Sequence, residues 1–111
     1  MFPPMLPDVP TVDPAELDPA APVPAGTTLL DVREQDEWDG GHAPGAVHIP
    51  LGDLPVRYGE LDPDTQILVM CHSGARSARA TQFLNDAVGF EAANLEGGIV
   101  AWSRVGLPVT T

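Results

Sequence analysis

Gln66-Ile67-Leu68-Val69-Met70-Cys71-His72-Ser73-Gly74-Ala75-Arg76-Ser77 joins an apolar run to the chain's one cysteine and a polar, glycine-containing loop. The run follows the turn signal Asp62-Pro63-Asp64 and shows no polar alternation, the pattern of a strand buried on both faces. Beyond the loop, Ala80, Phe83, Leu84, Ala87 and Val88 recur at i, i+3, i+4, i+7 and i+8. That spacing is one apolar stripe of a helix, with Gly89 as its left-handed C-cap. Cys71 is therefore expected at the carboxyl end of a strand, on a short loop feeding a helix. Ligands bind at that place in open α/β sheets.

The position has a consequence for the thiol. Amide groups of the loop and of the first helical turn lack intrahelical partners and can face an anion. Gly74 permits the tight path of such a nest, and Arg76 adds a positive charge. Both favour thiolate over thiol and lower the pKa of Cys71 from the free value of about 8.5. A lone cysteine is often an inert, buried packing residue. Strand, glycine, arginine and helix start at this spacing favour a reactive one.

The flanking sequence reads as alternating strands and helices. Met1 to Pro10 contains four prolines and is expected as a loose arm, with residues 11–111 forming one domain. Thr11-Val12 is a candidate edge strand. Asp13, Pro14 and Glu16 then mark a short helix as N-cap, first residue and capping-box partner. Pro19, Pro22, Pro24 and Gly26 make a proline-rich loop over 18–26, with a disordered linker as the alternative. Strands are expected at 28–32, 46–49 and 91–95. Helices are expected at 34–39, at 50–59 with Leu51, Leu54 and Tyr58 inward, and after Gly97-Gly98. The last packs through Ile99, Ala101, Trp102 and Val105 and stops at Gly106 and Pro108. The fold class is α/β, with a mainly parallel central sheet of about five strands and helices on both faces.

Charge narrows the partners. The chain has 111 residues, five arginines, no lysine and sixteen acids, for a net charge of −11. Such a surface argues against nucleic acid and anionic membranes. No run is long and apolar enough to span a bilayer, and Met1 to Pro10 lacks the pattern of a secretory signal. One cysteine cannot form an internal disulfide, in keeping with a reducing cytosol, so a soluble cytoplasmic protein is expected. Asp31 and Arg33 read as an ion pair tying a strand end to its loops, and Trp38 as a packing residue. His42 and His48 flank the Pro44-Gly45 turn with no further histidine or cysteine near, so no metal is expected.

Cys71-His72-Ser73-Gly74-Ala75-Arg76-Ser77 resembles the active-site loop of rhodanese-like sulfurtransferases. Similar too are Leu30-Asp31-Val32-Arg33, Glu37-Trp38, Gly41-His42-Ala43-Pro44-Gly45-Ala46, Ile49-Pro50-Leu51, Gly89-Phe90 and Leu95-Glu96-Gly97-Gly98 followed by Trp102. The resemblance runs from about Val12 to Val109 and implies a rhodanese-like domain whose loop cysteine carries a persulfide. Cys71 and Arg76 are then the catalytic candidates. His72, Ser73, Gly74, Ala75 and Ser77 are the substrate-binding ones, and Asp31 and Arg33 the structural support. The implied partners are a small anionic sulfur donor such as thiosulfate and a thiol or cyanide acceptor, a protein acceptor being a further option. No cofactor is implied. Two other classes stay open: a non-catalytic rhodanese-like binding module, and a cysteine-dependent phosphatase or arsenate reductase. The latter's loop has one residue more between cysteine and arginine than the four found here.

Overall fold

The computed structural model describes residues 7–111. Strand β4 (Gln66–Met70) organises it. Ile67, Val69 and Cys71 point into one apolar cluster, while Leu68 and Met70 point into another. Side chains alternate across a strand, so an unbroken apolar run needs a packed layer on each face. Strand β2 (Thr27–Asp31) repeats the pattern, with Leu30 on the first face and Leu29 on the second. It begins one residue earlier than the sequence predicts.

With β1 (Thr11–Val12), β3 (Val47–His48) and β5 (Ala92–Leu95), these strands form a five-stranded sheet of order β1-β5-β4-β2-β3. Every pairing in it is parallel. β2 and β4 lie in register from Thr27 opposite Gln66 to Asp31 opposite Met70, which brings their carboxyl ends level. Parallel strands require crossovers, and the helices that supply them cover the faces. On one face pack α2 (Leu54–Arg57), through Leu54, and α3 (Ala75–Asp86), through Ala80 and Leu84. On the other packs α4 (Gly98–Arg104), through Ile99 and Trp102. α1 (Gln35–Asp39) follows β2 and has no buried residue. Trp102 donates its indole N–H to the Pro108 carbonyl at 2.8 Å, so its one polar group is satisfied within the core.

Several local expectations are corrected. Residues 14–16 form one 3₁₀ turn in which Asp13 Oδ1 accepts from the Ala15 amide, and the Glu16 amide goes to the Asp13 carbonyl. The turn ends at an extended Leu17, and Glu16 makes no side-chain contact back to Asp13. Residues 50–59 are three short turns, Leu51–Asp53, α2 and Tyr58–Glu60. Pro55 lacks the N–H that a continuous helix would bond to Leu51. Leu51, Leu54 and Tyr58 still face the core. Val105 is 44% exposed because α4 stops before it, and Leu107 fills the core in its place. The proline-rich stretch turns through Ala21 N–H to the Asp18 carbonyl and Thr27 N–H to the Pro24 carbonyl. Of the expected arm, residues 1–6 lie outside the described residues, and the Pro10 carbonyl accepts from the Asn94 amide at 2.7 Å. Among the described residues no helix is long and apolar enough to cross a membrane.

Candidate active site

Met70 ends β4, and Cys71 to Gly74 carry the chain into α3. Gly74, the residue before the helix, has φ +111°, a conformation that side chains rarely adopt. Its amide donates to Cys71 Sγ at 3.1 Å, and the Ser77 hydroxyl lies 3.3 Å from the same sulfur. Cys71 itself is 1% exposed, while His72 and Ser73 form an exposed rim. Burial, the largest single influence on the thiol, opposes its ionisation. The Ser77 hydroxyl and the amides of Ser77, Gly74 and Ser73 together outweigh it, leaving the Cys71 pKa below the ordinary thiol value. The site is thus a small cradle of donors closed around one sulfur atom.

The cradle is fixed from behind by α4. The Ile99 amide donates to the Cys71 carbonyl at 2.8 Å and the Val100 amide to the His72 carbonyl at 3.2 Å. In a trans peptide the N–H points opposite to its own carbonyl, so the amides of His72 and Ser73 are turned away from α4. Gly98 makes this approach possible. It has φ +58°, and a Cβ there would collide with both loop carbonyls.

Arg76 faces across to α1. Its guanidinium forms a bidentate pair with Glu37, at 2.6 and 2.9 Å. The hydrogen bond from Arg76 holds the Glu37 carboxyl at about 2 against its usual 4.5. The Arg76 guanidinium is stabilised as a cation in turn, chiefly by Glu37 and to a smaller degree by Cys71. The positive charge assigned to the loop is therefore already matched by a carboxylate, and the sulfur's ionisation rests chiefly on the serine and the amides. Asp31 and Arg33 form a buried pair, 2.7 Å at its shortest. Arg33 also donates to the carbonyls of Glu37 and Gly41, so it ties the middle of α1 and the loop just beyond it to the end of β2. α1 in turn carries Glu37 to Arg76.

Ala75 begins α3 beside the cradle. Two participants escape sequence reasoning. Glu37 belongs to an acidic turn that suits the α1 dipole, and nothing in its spacing points to Arg76, 39 residues away. Asn94 is buried in β5, opposite Val69, with its Oδ1 2.5 Å from Ser77 Oγ. A polar residue in the apolar run Ala92-Ala93-Asn94-Leu95 was the available signal. Both histidines stack on Trp38, whose ring centroid lies 3.7 Å from that of His42 and 4.7 Å from that of His48. His42 Nδ1 faces the Trp38 carbonyl and His48 Nε2 the Arg33 carbonyl. Among the described residues no three His, Cys, Asp or Glu side chains are grouped to hold a metal.

With this geometry in view, the comparisons are specific. The family model for the Rhodanese-like domain matches residues 16–105. A putative sulfurtransferase of Bacillus subtilis, YtwF, is 45% identical over 74 residues, 67% of this chain and 71% of that one. A sulfurtransferase of Allochromatium vinosum is 38% identical over 81 residues, 73% of this chain and 76% of its own. Among solved structures, a rhodanese-related protein of Thermoplasma volcanium superposes with a TM-score of 0.81 at 33% identity, covering 91% of this chain and 97% of that chain.

Proposed function

The chain belongs to the rhodanese-like domain family, and from that premise we propose that it is a sulfurtransferase moving a sulfane sulfur from a donor such as thiosulfate to a thiophilic acceptor through a persulfide on Cys71. The observation that carries this reading is the cradle itself, with Gly74 N–H at 3.1 Å and the Ser77 hydroxyl at 3.3 Å from Sγ. Cys71 thiolate attacks the outer sulfur of thiosulfate. A new S–S bond forms, the bond to the inner sulfur breaks, and its electron pair leaves with sulfite. An acceptor then attacks the terminal sulfur and the pair returns to Cys71. With cyanide the product is thiocyanate; a cellular thiol or a protein thiol takes the same place.

Roles follow from position. The amides from His72 through Ser77, with Gly74 and Ala75 shaping their path, stabilise the persulfide anion and the departing sulfite. Exposed His72 and Ser73 meet the donor first. Ser77 hydrogen-bonds the sulfur, and Arg76 supports the loop through its pair with Glu37. Asp31 and Arg33 hold the frame. A lone thiol that must stay unpaired suits a reducing compartment, so the cytoplasm is the proposed location. A phosphatase reading is disfavoured by the four-residue spacing from Cys71 to Arg76 and by a guanidinium engaged with Glu37.

The test is thiocyanate formation from thiosulfate and cyanide. Wild-type protein should turn over, and Cys71→Ser should lose turnover while keeping its circular dichroism. A folded but inactive wild type across several sulfane donors would favour the binding-module alternative, and an active serine variant would exclude the persulfide.

A further inference from the structure

The Ser77 hydroxyl has one proton and three acceptors within reach. Asn94 Oδ1 lies 2.5 Å from Ser77 Oγ, the Gly74 carbonyl 3.2 Å and Cys71 Sγ 3.3 Å. Asn94 is 7% exposed, and its Nδ2 reaches only the Gly74 carbonyl, at 3.4 Å. That contact is at the weak end of the range, whereas the bond to Ser77 is short. A carboxamide presents an acceptor on one side and a donor on the other, and half a turn about its last torsion exchanges them.

Two arrangements follow. With a neutral thiol, Ser77 gives its proton to Asn94 Oδ1. With an anionic sulfur, a bond from Ser77 to Sγ becomes charge-assisted and stronger. Asn94 Oδ1 would then face a bare oxygen, unless the amide turns over and donates Nδ2–H to Ser77 Oγ. The result is a chain of donors, amide to hydroxyl to sulfur, in which each bond polarises the next. Its cost is the weak contact to Gly74 and the facing of Asn94 Oδ1 toward the Gly74 carbonyl, two acceptors with no proton between them.

We propose that Asn94 is a positioning residue for the sulfur chemistry: by turning its amide over, it directs the single Ser77 proton away from or toward the Cys71 sulfur. No proton changes its covalent owner in this relay. The thiol proton leaves to water, and Ser77 keeps its own. The anion arises first as thiolate and again as persulfide, and only the second occurrence rests on the sulfur-transfer reading. The charged groups around the sulfur are otherwise accounted for. Arg76 of α3 is bound to Glu37 of α1, and Asp31 at the end of β2 to Arg33. His72 and Glu96 are exposed, and the first turn of α4 carries no charge.

The test is the pH dependence of Cys71 alkylation by iodoacetamide in four proteins: wild type, Asn94→Asp, Ser77→Ala and the double variant. A carboxylate accepts but never donates, so it keeps the Ser77 proton from the sulfur. Its charge repels the thiolate with or without Ser77, and the double-mutant comparison removes that common part. Asn94→Asp should raise the alkylation midpoint by about one pH unit more when Ser77 is present, a tenfold difference in rate below both midpoints. Equal shifts in the two backgrounds overturn the proposal. Should Asn94→Asp fail to fold, the Asn94 side-chain amide of ¹⁵N-labelled wild-type protein supplies the second readout. Its resonances should move through the thiol midpoint, and that movement should largely vanish in Ser77→Ala. Resonances that ignore Cys71 ionisation, or move equally in Ser77→Ala, overturn the relay. Alkylation needs no sulfur donor, so coupling retained in a protein that forms no persulfide counts against sulfur transfer alone.

Discussion

Replacing Glu37 with Gln keeps the shape of the side chain and removes the charge that Arg76 faces. The Glu37 carboxyl titrates at about 2 in the folded protein against 4.5 in its absence of structure. At about 1.36 kcal/mol per pH unit, that difference caps its contribution near 3 kcal/mol. The two side chains are 31% and 28% exposed, so water screens part of the interaction and about 1–2 kcal/mol is the working figure. The folded value lies below the unfolded one, so the stabilisation is complete above about pH 4.5 and is lost as the pH falls toward 2. At pH 3 roughly 40% of it remains. Urea unfolding of both proteins at pH 7 and pH 3 measures this directly. With m near 1.5 kcal/mol/M, the midpoint of Glu37→Gln should lie about 1 M below wild type at pH 7. The gap should shrink by more than half at pH 3. Equal midpoints at pH 7, or a gap undiminished at pH 3, would show that the ion pair does not hold α1 to the loop.

Gly98→Ala combines a positive φ with a Cβ driven into the Cys71 and His72 carbonyls, and neither backbone can yield cheaply. Differential scanning calorimetry should show a melting temperature lower by more than about 10 °C, a loss of a few kcal/mol; an unchanged melting temperature would mean that α4 does not buttress the loop. Ser77→Ala removes the strongest hydrogen bond favouring the thiolate, so the Cys71 alkylation midpoint should rise toward the free-cysteine value of about 8.5. A midpoint that stays put or falls would leave the amides alone responsible. Thiosulfate is a dianion meeting a chain of net charge −11, and Arg76 is already paired. Inert salt raised from about 0.01 to 0.15 M shortens the Debye length from about 30 to 8 Å and should increase kcat/KM for thiosulfate several-fold. A decrease would mean that the loop's local positive field outweighs the acidic surface.

What the sequence makes legible is what local patterning determines. An apolar run without alternation at 66–70 requires layers on both sides, and the stripe from Ala80 to Leu84 supplies one of them. The loop between them places Cys71 at the carboxyl end of β4, where the donors of the cradle converge. Other features depend on distant partners that no window of sequence contains. Glu37 finds Arg76 only because Asp31, Arg33 and α1 fix the distance between the end of β2 and α3. Asn94 reaches Ser77 because β5 lies beside β4 in the sheet, an order that follows from crossovers and not from neighbours in the chain. Gly98 looks like a helix start from its own surroundings, and its closeness to the loop carbonyls emerges only when α4 folds onto the second face. The break at Pro55 was readable. Its missing N–H forbids the continuous helix that Leu51, Leu54 and Tyr58 imitate by spacing.

The most direct test of sulfur transfer is the intact mass of the protein after thiosulfate, followed by peptide mapping and then by cyanide. One added sulfur atom should appear, map to the peptide carrying Cys71, and disappear with cyanide as thiocyanate forms. No added sulfur with thiosulfate or any other sulfane donor, or a sulfur atom that survives in Cys71→Ser, would contradict a persulfide at Cys71.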